Sequence, residues 1–179
     1  MIIGGRIRLR ALERSDLPQF VIWLNDPEVT ENLLPSYPFS LEEEEKWFEG
    51  MNQRPLYERP LCIEVRKADH WHMIGNLSLM DFQWTHRSAE LGIVIGDKTH
   101  WNQGYGTEAI SLLVKHAFDE LNLHRVWLRV HQTNPGGLRC YEKVGFKHEG
   151  TLREAVYKHG EYINMHVMSI LRHEWRQEK

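Results

Sequence analysis

The sequence predicts a mixed α/β (α+β) domain with a central, mostly antiparallel sheet. Its 179 residues, of which 41% are hydrophobic and 26% charged, suit one sizeable core. Three strand patterns between residues 61 and 98 follow one another across short polar stretches, which is typical of an antiparallel meander. Segments with helical periodicity precede and follow these strands, so we expect helices packed on the sheet.

The N-terminal third predicts one strand and then two helices. Residues 6–12 alternate polar and apolar side chains, as a half-buried strand does. Residues 15–24 carry apolar side chains at helical spacing, with Ser15 as the expected N-cap. A second helix is expected after Ser40, because Ser40 and Glu43 match the S-x-x-E capping box. The glutamates that follow Ser40 are then most simply a solvated helix face with favourable charge at the N-terminus, and an acidic binding surface is the alternative.

The C-terminal half predicts a long helix, a strand, a short helix and a final hairpin. Apolar residues recur at helical spacing from Thr107 to about residue 121, and residues 124–132 then have the pattern of a strand. A short helix is expected from about Gly136 until Gly145 stops it. The residues after Gly145 predict two strands joined by a turn at 158–160.

Composition disfavours several classes of protein. The formal net charge of -3 gives no reason to expect a nucleic-acid partner. Cys62 and Cys140 are the only cysteines, which suits a reducing compartment, and we expect a cytoplasmic protein. No segment predicts a membrane span or a signal peptide. His70 and His72 lack a further ligand pattern, so we expect no metal site.

Two glycines in the stretch HWNQGYGTEA, Gly104 and Gly106, stand at the start of the long predicted helix. A glycine-rich turn at a helix N-terminus presents unpaired amides where the helix dipole is positive, and this combination binds phosphate. The stretch matches neither the P-loop nor the dinucleotide fingerprint. On these residues alone, a phosphate site and a tight structural turn both remain open.

The context of this turn resembles the GNAT superfamily of acyl-CoA-dependent N-acetyltransferases. The resemblance runs from IRLRALERSDL to HVMSIL, and NPGGLRCYEKVGF is its most specific stretch. It is nearest to the branch that includes ribosomal-protein N-terminal and polyamine acetyltransferases. It implies that residues 1–179 form a single GNAT acetyltransferase domain. The implied fold is a twisted, mostly antiparallel sheet of about six to seven strands, splayed at a bulge and flanked by about four helices.

The resemblance also implies acetyl-CoA as the cofactor and locates its site. The turn around the pyrophosphate comprises Asn102, Gln103, Gly104, Tyr105, Gly106 and Thr107. A bulge near Leu91 to Ile93 leaves backbone groups of Ile93 and Ile95 for the pantetheine arm, since a bulge interrupts strand pairing. Asn134 is expected to hold the pantetheine or an ordered water.

The same resemblance assigns Tyr141 as the general acid toward the sulfur of the coenzyme, and a phenol near pKa 10 suits that role. An amide near Ile93 is the expected oxyanion donor. Glu90 is either the base that accepts the proton of the amine or an ordinary cross-strand charge. Some N-terminal acetyltransferases have a glutamate where this chain has Arg129, so their base cannot be transferred. His131 is a second candidate base.

A direct transfer is expected, because Cys140 lacks an evident base partner to activate it as a nucleophile. The family binds the acceptor with the loop at residues 25–39 and the last hairpin, at 152–162. Acidic and aromatic side chains there suit an amine: Asp26, Glu28, Glu31, Glu154, Tyr37, Phe39 and Tyr157. A small-molecule amine such as a polyamine, amino sugar or aminoglycoside is the expected acceptor. A protein N-terminus, a non-catalytic CoA-binding module and a homodimer remain open.

Overall fold

The computed structural model describes residues 1–34 and 37–177. The strands are β1 Ile2–Ile3, β2 Ile7–Ala11, β3 Leu61–Arg66, β4 Trp71–Gln83, β5 Ser88–Ile95, β6 Arg125–His131, β7 Lys147–Lys158 and β8 Glu161–Leu171. The α-helices are α1 Leu17–Leu24, α2 Pro27–Thr30, α3 Leu41–Asn52, α4 Tyr105–Asp119, α5 Pro135–Val144 and α6 Arg172–Gln177. None of these helices has the length and apolar character needed to cross a membrane.

The eight described strands form one sheet in the order β1-β2-β3-β4-β5-β6-β8-β7. Every neighbouring pair is antiparallel except β5 and β6, which are parallel. The predicted mixed fold with a mostly antiparallel sheet is therefore confirmed. The strand beyond the expected six to seven is the two-residue β1, and the four helices of eight residues or more match the four that were expected.

Two of the predicted helix starts have different outcomes. Ser40 and Glu43 form the expected capping box at α3, with the hydroxyl of Ser40 accepting from the amide of Glu43. The expectation that Ser15 caps α1 is wrong, because Ser15 lies inside a 3₁₀ turn that precedes the helix. The reciprocal cap there joins Glu13 and Asp16, whose carboxylate accepts from the amide of Glu13 at 2.8 Å.

The sheet buries a core on each face. Ile63 and Val65 of β3 belong to the cluster that includes α4 and α5, whereas Cys62 belongs to the cluster of α1 and α3. Because neighbouring residues in a strand point to opposite faces, the two helical layers cover opposite sides of the sheet. This three-layer arrangement fixes the central strands in place.

The sheet opens between its two parallel strands. β5 and β6 pair only from Ser88–Arg125 to Glu90–Trp127, although they continue to Ile95 and His131. β5 stays in register with β4 from Glu90 to Ile95, so the opening lies on the β6 side. The bulge expected at Leu91–Ile93 does not appear in the β4 pairing, whose register shift falls between Met80 and Gln83. The sheet is splayed because β5 and β6 diverge after the pair Glu90–Trp127.

Candidate active site

The edge of β5 presents backbone groups to the opening. The amide of Gly96 donates to the carbonyl of Ile74 at 2.9 Å. In the register of β4 and β5, the backbone groups of Gly92 and Val94 therefore also bond to β4. Antiparallel pairing alternates, and the amides and carbonyls of Ile93 and Ile95 therefore point away from β4. The two positions thus have the geometry that a strand-like ligand requires.

One of these groups is already bonded within the protein. The indole Nε1 of Trp101 donates to the carbonyl of Ile95 at 2.7 Å. The carbonyl of Ile95 therefore already accepts one hydrogen bond, whereas its second lone pair and the amides of Ile93 and Ile95 stay candidates for the pantetheine arm. The bond also ties the glycine turn to the end of β5, a role for Trp101 that sequence patterns do not reveal.

The glycine turn leads directly into α4. Gly104 is the N-cap residue with φ of 83°, and no side chain caps this helix. Glycine is the residue that adopts a left-handed backbone without strain, so the fold itself explains Gly104. A Cβ on Gly106 would lie 3.6 Å from the Cys140 sulfur, an ordinary contact, so internal packing does not require Gly106 to be glycine. Gly106 is instead consistent with close approach of a ligand.

Arg6 lies beside the same turn. Its guanidinium donates to the carbonyl of Gln103 at 3.1 Å and to the carboxylate of Glu108 at 2.9 Å, and it lies 4.6 Å from the centre of the Tyr105 ring. The side chain of Gln103 donates to the carbonyl of Thr99 at 2.6 Å. Arg6 thus brings a positive charge next to amides that suit phosphate, which the sequence alone did not indicate.

Asn134 caps the helix that carries the predicted acid. Its Oδ1 accepts from the amide of Gly137 at 2.8 Å, which is the N-cap bond of α5. A Cβ at Gly137 would lie 2.7 Å from Asn134 Nδ2, so this cap needs glycine. Because the capping oxygen already accepts one bond, contact of the side chain with the pantetheine or a water is left to Nδ2 and the second lone pair of Oδ1.

Tyr141 lies in α5 and is only 9% exposed. Burial raises the pKa of its phenol above the ordinary value of 10, so the group keeps its proton at neutral pH and can donate it. Thr107 Oγ1 lies 3.3 Å from the neighbouring Cys140 sulfur and links α5 to the start of α4. Burial also raises the pKa of Cys140, which agrees with the expectation that this thiol is not the nucleophile.

Glu90 occupies the apex of the opening but is not free. It is 5% exposed, and its two carboxylate oxygens accept from Arg129 at 2.8 and 3.0 Å. The hydrogen bond to Glu90 raises the pKa of Arg129. A carboxylate held on both oxygens reaches an amine either after this pair opens or through a bridging water, since each oxygen keeps a further lone pair. Glu90 therefore forms the cross-strand charge pair that was one of its two expected roles, and its action as a base stays a prediction.

His131 ends β6 on the other side of the opening. It is 4% exposed, and its Nδ1 has no hydrogen-bond partner within residues 1–34 and 37–177. Burial and the charge of Lys158 lower the pKa of His131 below 6.5. The imidazole is therefore neutral at neutral pH, which is the form of a proton acceptor.

The two segments expected to bind the acceptor meet. Lys158, at the tip of the β7–β8 hairpin, donates to the carbonyls of Thr30, Glu31 and Leu33, the first at 2.6 Å and the last at 3.0 Å. His159 lies 2.9 Å from the carboxylate of Glu31. Residues 35 and 36 of the expected loop lie outside the described residues. The hairpin tip and the α2 segment thus form one wall of the expected acceptor site.

Several acidic candidates in this wall already have partners. Lys98 binds the carboxylate of Asp26 at 2.7 Å and that of Glu28, so its one positive charge offsets half of their combined charge. Glu154, Arg153 and Asn164 line a cavity of about 510 Å³ on the β7–β8 hairpin. Exposed aromatic side chains, Tyr37 at 85% and Tyr157 at 61%, remain available to a ligand.

Comparison with known proteins identifies this arrangement. Residues 6–147 match the family model described as an acetyltransferase (GNAT) domain. The chain belongs to the GNAT acetyltransferase family. It is accordingly an acetyl-CoA-dependent N-acetyltransferase, and the fold and cofactor expected from the sequence are those of its family.

Similar proteins include enzymes that act on polyamines. A spermidine N(1)-acetyltransferase of Vibrio cholerae is 30% identical over 169 residues, covering 94% of this chain and 95% of the relative. A putative ribosomal N-acetyltransferase of Bacillus subtilis is 31% identical over 130 residues, covering 73% of this chain and 64% of the relative. A crystal structure of spermidine N-acetyltransferase from Vibrio cholerae in complex with CoA and spermine matches with a TM-score of 0.87 at 29% identity, over 97% of this chain and 99% of the other.

Proposed function

We propose that this GNAT enzyme transfers an acetyl group from acetyl-CoA to a primary amine of a small polyamine. The observation that carries the proposal is the near-complete match to spermidine acetyltransferases, in sequence and in structure. The splayed strands and the glycine turn support it, because they are the parts of the chain that a coenzyme would contact. An amino sugar or an aminoglycoside is the alternative small-molecule acceptor.

The described residues provide the groups that a coenzyme A molecule requires. The N-terminal turn of α4 has no side-chain cap, and Gly106 leaves space beside it. We assign to the pyrophosphate the segment Asn102, Gln103, Gly104, Tyr105, Gly106 and Thr107. The amides of Ile93 and Ile95 face the opening and are assigned to the pantetheine arm, with Asn134 Nδ2 nearby. Bound acetyl-CoA supplies the acetyl group as a thioester.

The catalytic roles follow from the state of each side chain. Tyr141 donates its phenolic proton to the sulfur as the carbon–sulfur bond breaks and the carbon–nitrogen bond forms. The amide of Ile93 donates a hydrogen bond to the carbonyl oxygen on which negative charge develops. Both donors carry their proton at neutral pH, because burial raises the pKa of the Tyr141 phenol and a backbone amide does not ionise.

The proton of the amine has two candidate acceptors. Glu90 can serve once its hydrogen bonds to Arg129 open or a water connects it to the amine. His131 is neutral and its Nδ1 lacks a partner among the described residues. The pH profiles of single variants distinguish the two.

The acceptor is tested by measuring thiol release with a panel of amines on the full chain. Spermidine and spermine are expected to give the highest kcat/KM, above glucosamine, kanamycin and a peptide with a free ribosomal-protein N-terminus. Preference for the peptide would instead support the protein N-terminal activity that the ribosomal N-acetyltransferase relative suggests. Binding of CoA without thiol release for any amine would indicate a non-catalytic CoA-binding module.

Three further assignments, of domain, cellular location and oligomeric state, accompany this proposal. Residues 1–179 are treated as a single acetyltransferase domain, supported by one sheet that includes every described strand. We place the enzyme in the cytoplasm, supported by two free cysteine thiols. A homodimer is supported by the edge position of β7, whose unpaired side is available to a second copy.

A further inference from the structure

Three side chains from two separate segments of the sequence converge next to the glycine turn. His72 Nε2 lies 2.8 Å from Asp97 Oδ2, and His100 Nδ1 lies 3.0 Å from the same oxygen. The three ligand atoms all lie within 4.8 Å of one another. His72 is near the start of β4, whereas Asp97 and His100 belong to the segment between β5 and α4.

We propose that His72, Asp97 and His100 bind a divalent transition-metal ion, with Zn²⁺ as the preferred occupant. Two imidazole nitrogens and one carboxylate oxygen form a donor set that suits zinc, with water in the fourth position. Zinc–ligand distances near 2.0–2.2 Å give ligand–ligand separations of about 3.3 Å in a tetrahedron. The observed separations of 2.8 and 3.0 Å therefore need to widen by only a few tenths of an ångström.

The surrounding hydrogen bonds orient the carboxylate for this role. Asp97 Oδ1 accepts from the amide of Thr99 at 3.0 Å and from its hydroxyl at 2.6 Å. The other oxygen, Oδ2, is thereby directed at the two imidazoles. Such outer partners are what fixes metal ligands in proteins. The His100 side chain is 8% exposed and that of His72 is 43% exposed, so the site is anchored on one side and open on the other.

The positive charge of Lys67 disfavours a metal ion on His100, so substitution of Lys67 tests where the ion binds. Its ammonium lies 2.9 Å from Nε2 of His100. An ion on Nδ1 requires the ring proton to be on Nε2, so Lys67 must turn away when the metal binds. Lys67 is an exposed residue after β3, which permits this movement. Replacement of Lys67 by glutamine removes the charge and offers an amide oxygen to Nε2, so it should strengthen metal binding.

The experiment titrates Co²⁺ into the full chain without a histidine tag, follows visible absorption, and then measures Zn²⁺ affinity by displacement. Four proteins are compared: the wild type, His72→Ala, His70→Ala and Lys67→Gln. His70 is the matched control, because it lies two residues away and pairs with Asp69 outside the cluster. Circular dichroism confirms that each variant is folded.

The expected result is one Co²⁺ site in the wild type and in His70→Ala. The affinity of His72→Ala should fall by more than about 100-fold, since even outer-sphere changes cost about 10- to 100-fold. Lys67→Gln should bind about 10-fold more tightly, in line with the size of outer-sphere effects. Absence of visible absorption in the wild type, equal affinity in His72→Ala, or unchanged or weaker binding in Lys67→Gln would overturn the proposal.

Discussion

Replacing Gly106 by alanine separates the requirements of the fold from those of the ligand. The backbone of Gly106 is helical, and an added Cβ meets only the Cys140 sulfur at 3.6 Å and Ile95 Cγ1 at 3.9 Å. A Gly→Ala change at a compatible position stabilises a protein by about 0.4–1 kcal/mol, through the unfolded state. We therefore expect the melting temperature of the free protein to rise by about 1–4 °C.

The same substitution should weaken coenzyme binding. We expect the added Cβ to crowd a phosphate that approaches the turn as closely as glycine allows, and to weaken its bond to at least one amide. Hydrogen bonds to charged groups contribute about 1.5–3 kcal/mol. The Kd for CoA, measured by calorimetry, should therefore rise about 10- to 100-fold. The variant is then more stable when free and binds less well.

Gly104→Ala and Gly160→Ala are the controls for backbone strain. Both glycines have positive φ, 83° and 85°, so each alanine variant should lose about 1–2 kcal/mol of stability. Gly160 is at the hairpin tip, where an added Cβ would meet nothing within 4 Å, and its variant should bind CoA normally. Unchanged CoA affinity in Gly106→Ala would contradict a ligand role for Gly106, because the missing side chain would then make no room for a phosphate.

Further predictions concern charge, acid and base. Arg6→Ala should raise the Kd for CoA. Arg14→Ala is the control and should leave the Kd unchanged, because Arg14 is a surface arginine paired with Glu45 and Glu49. Equal effects of the two substitutions would contradict a role for Arg6 at the turn. Tyr141→Phe should retain CoA binding and lose about 100-fold in kcat, whereas unchanged kcat where chemistry limits the rate would remove its role as acid. If Glu90 is the base, Glu90→Gln should lower kcat near neutral pH with partial recovery as pH rises, and a profile parallel to the wild type at equal height would reject it. If His131 is instead the base, His131→Gln should lower kcat near neutral pH, and a profile equal to that of the wild type would reject it. Because burial lowers the pKa of His131, wild-type stability should also fall as pH drops below 6.5, and this loss should be smaller in the variant.

Sequence patterns predicted the features that depend on neighbours along the chain. The capping box of Ser40 and Glu43 and the stop at Gly145 are local, and the structure has both of them. Ser15 was misplaced because Glu13 and Asp16 form a competing cap one turn earlier. Local chemistry therefore decides element boundaries to within a few residues.

Features that depend on tertiary contact could not be predicted in this way. Glu90 pairs with Arg129 across the parallel strands, at a separation of 39 residues. Trp101 takes the carbonyl of Ile95 only because the chain turns back after β5. The cluster of His72, Asp97 and His100 needs β4 beside the segment after β5 before any ligand spacing exists. Which groups remain available to a ligand is decided by these contacts.

The short junction between β5 and β6 has a consequence for cooperativity. Three residue pairs join the strands of residues 2–95 to those of residues 125–171. A hydrogen-bonding molecule seated between the diverging strands adds an interaction along both sub-sheets and raises the free energy of their separation. Amide protons of Leu128 and Val130 bond to β8 in either case, so their exchange reports opening of the C-terminal sub-sheet. At the proposed site the coenzyme would be a structural element as well as a reactant, and its binding should slow sub-global opening of the sheet.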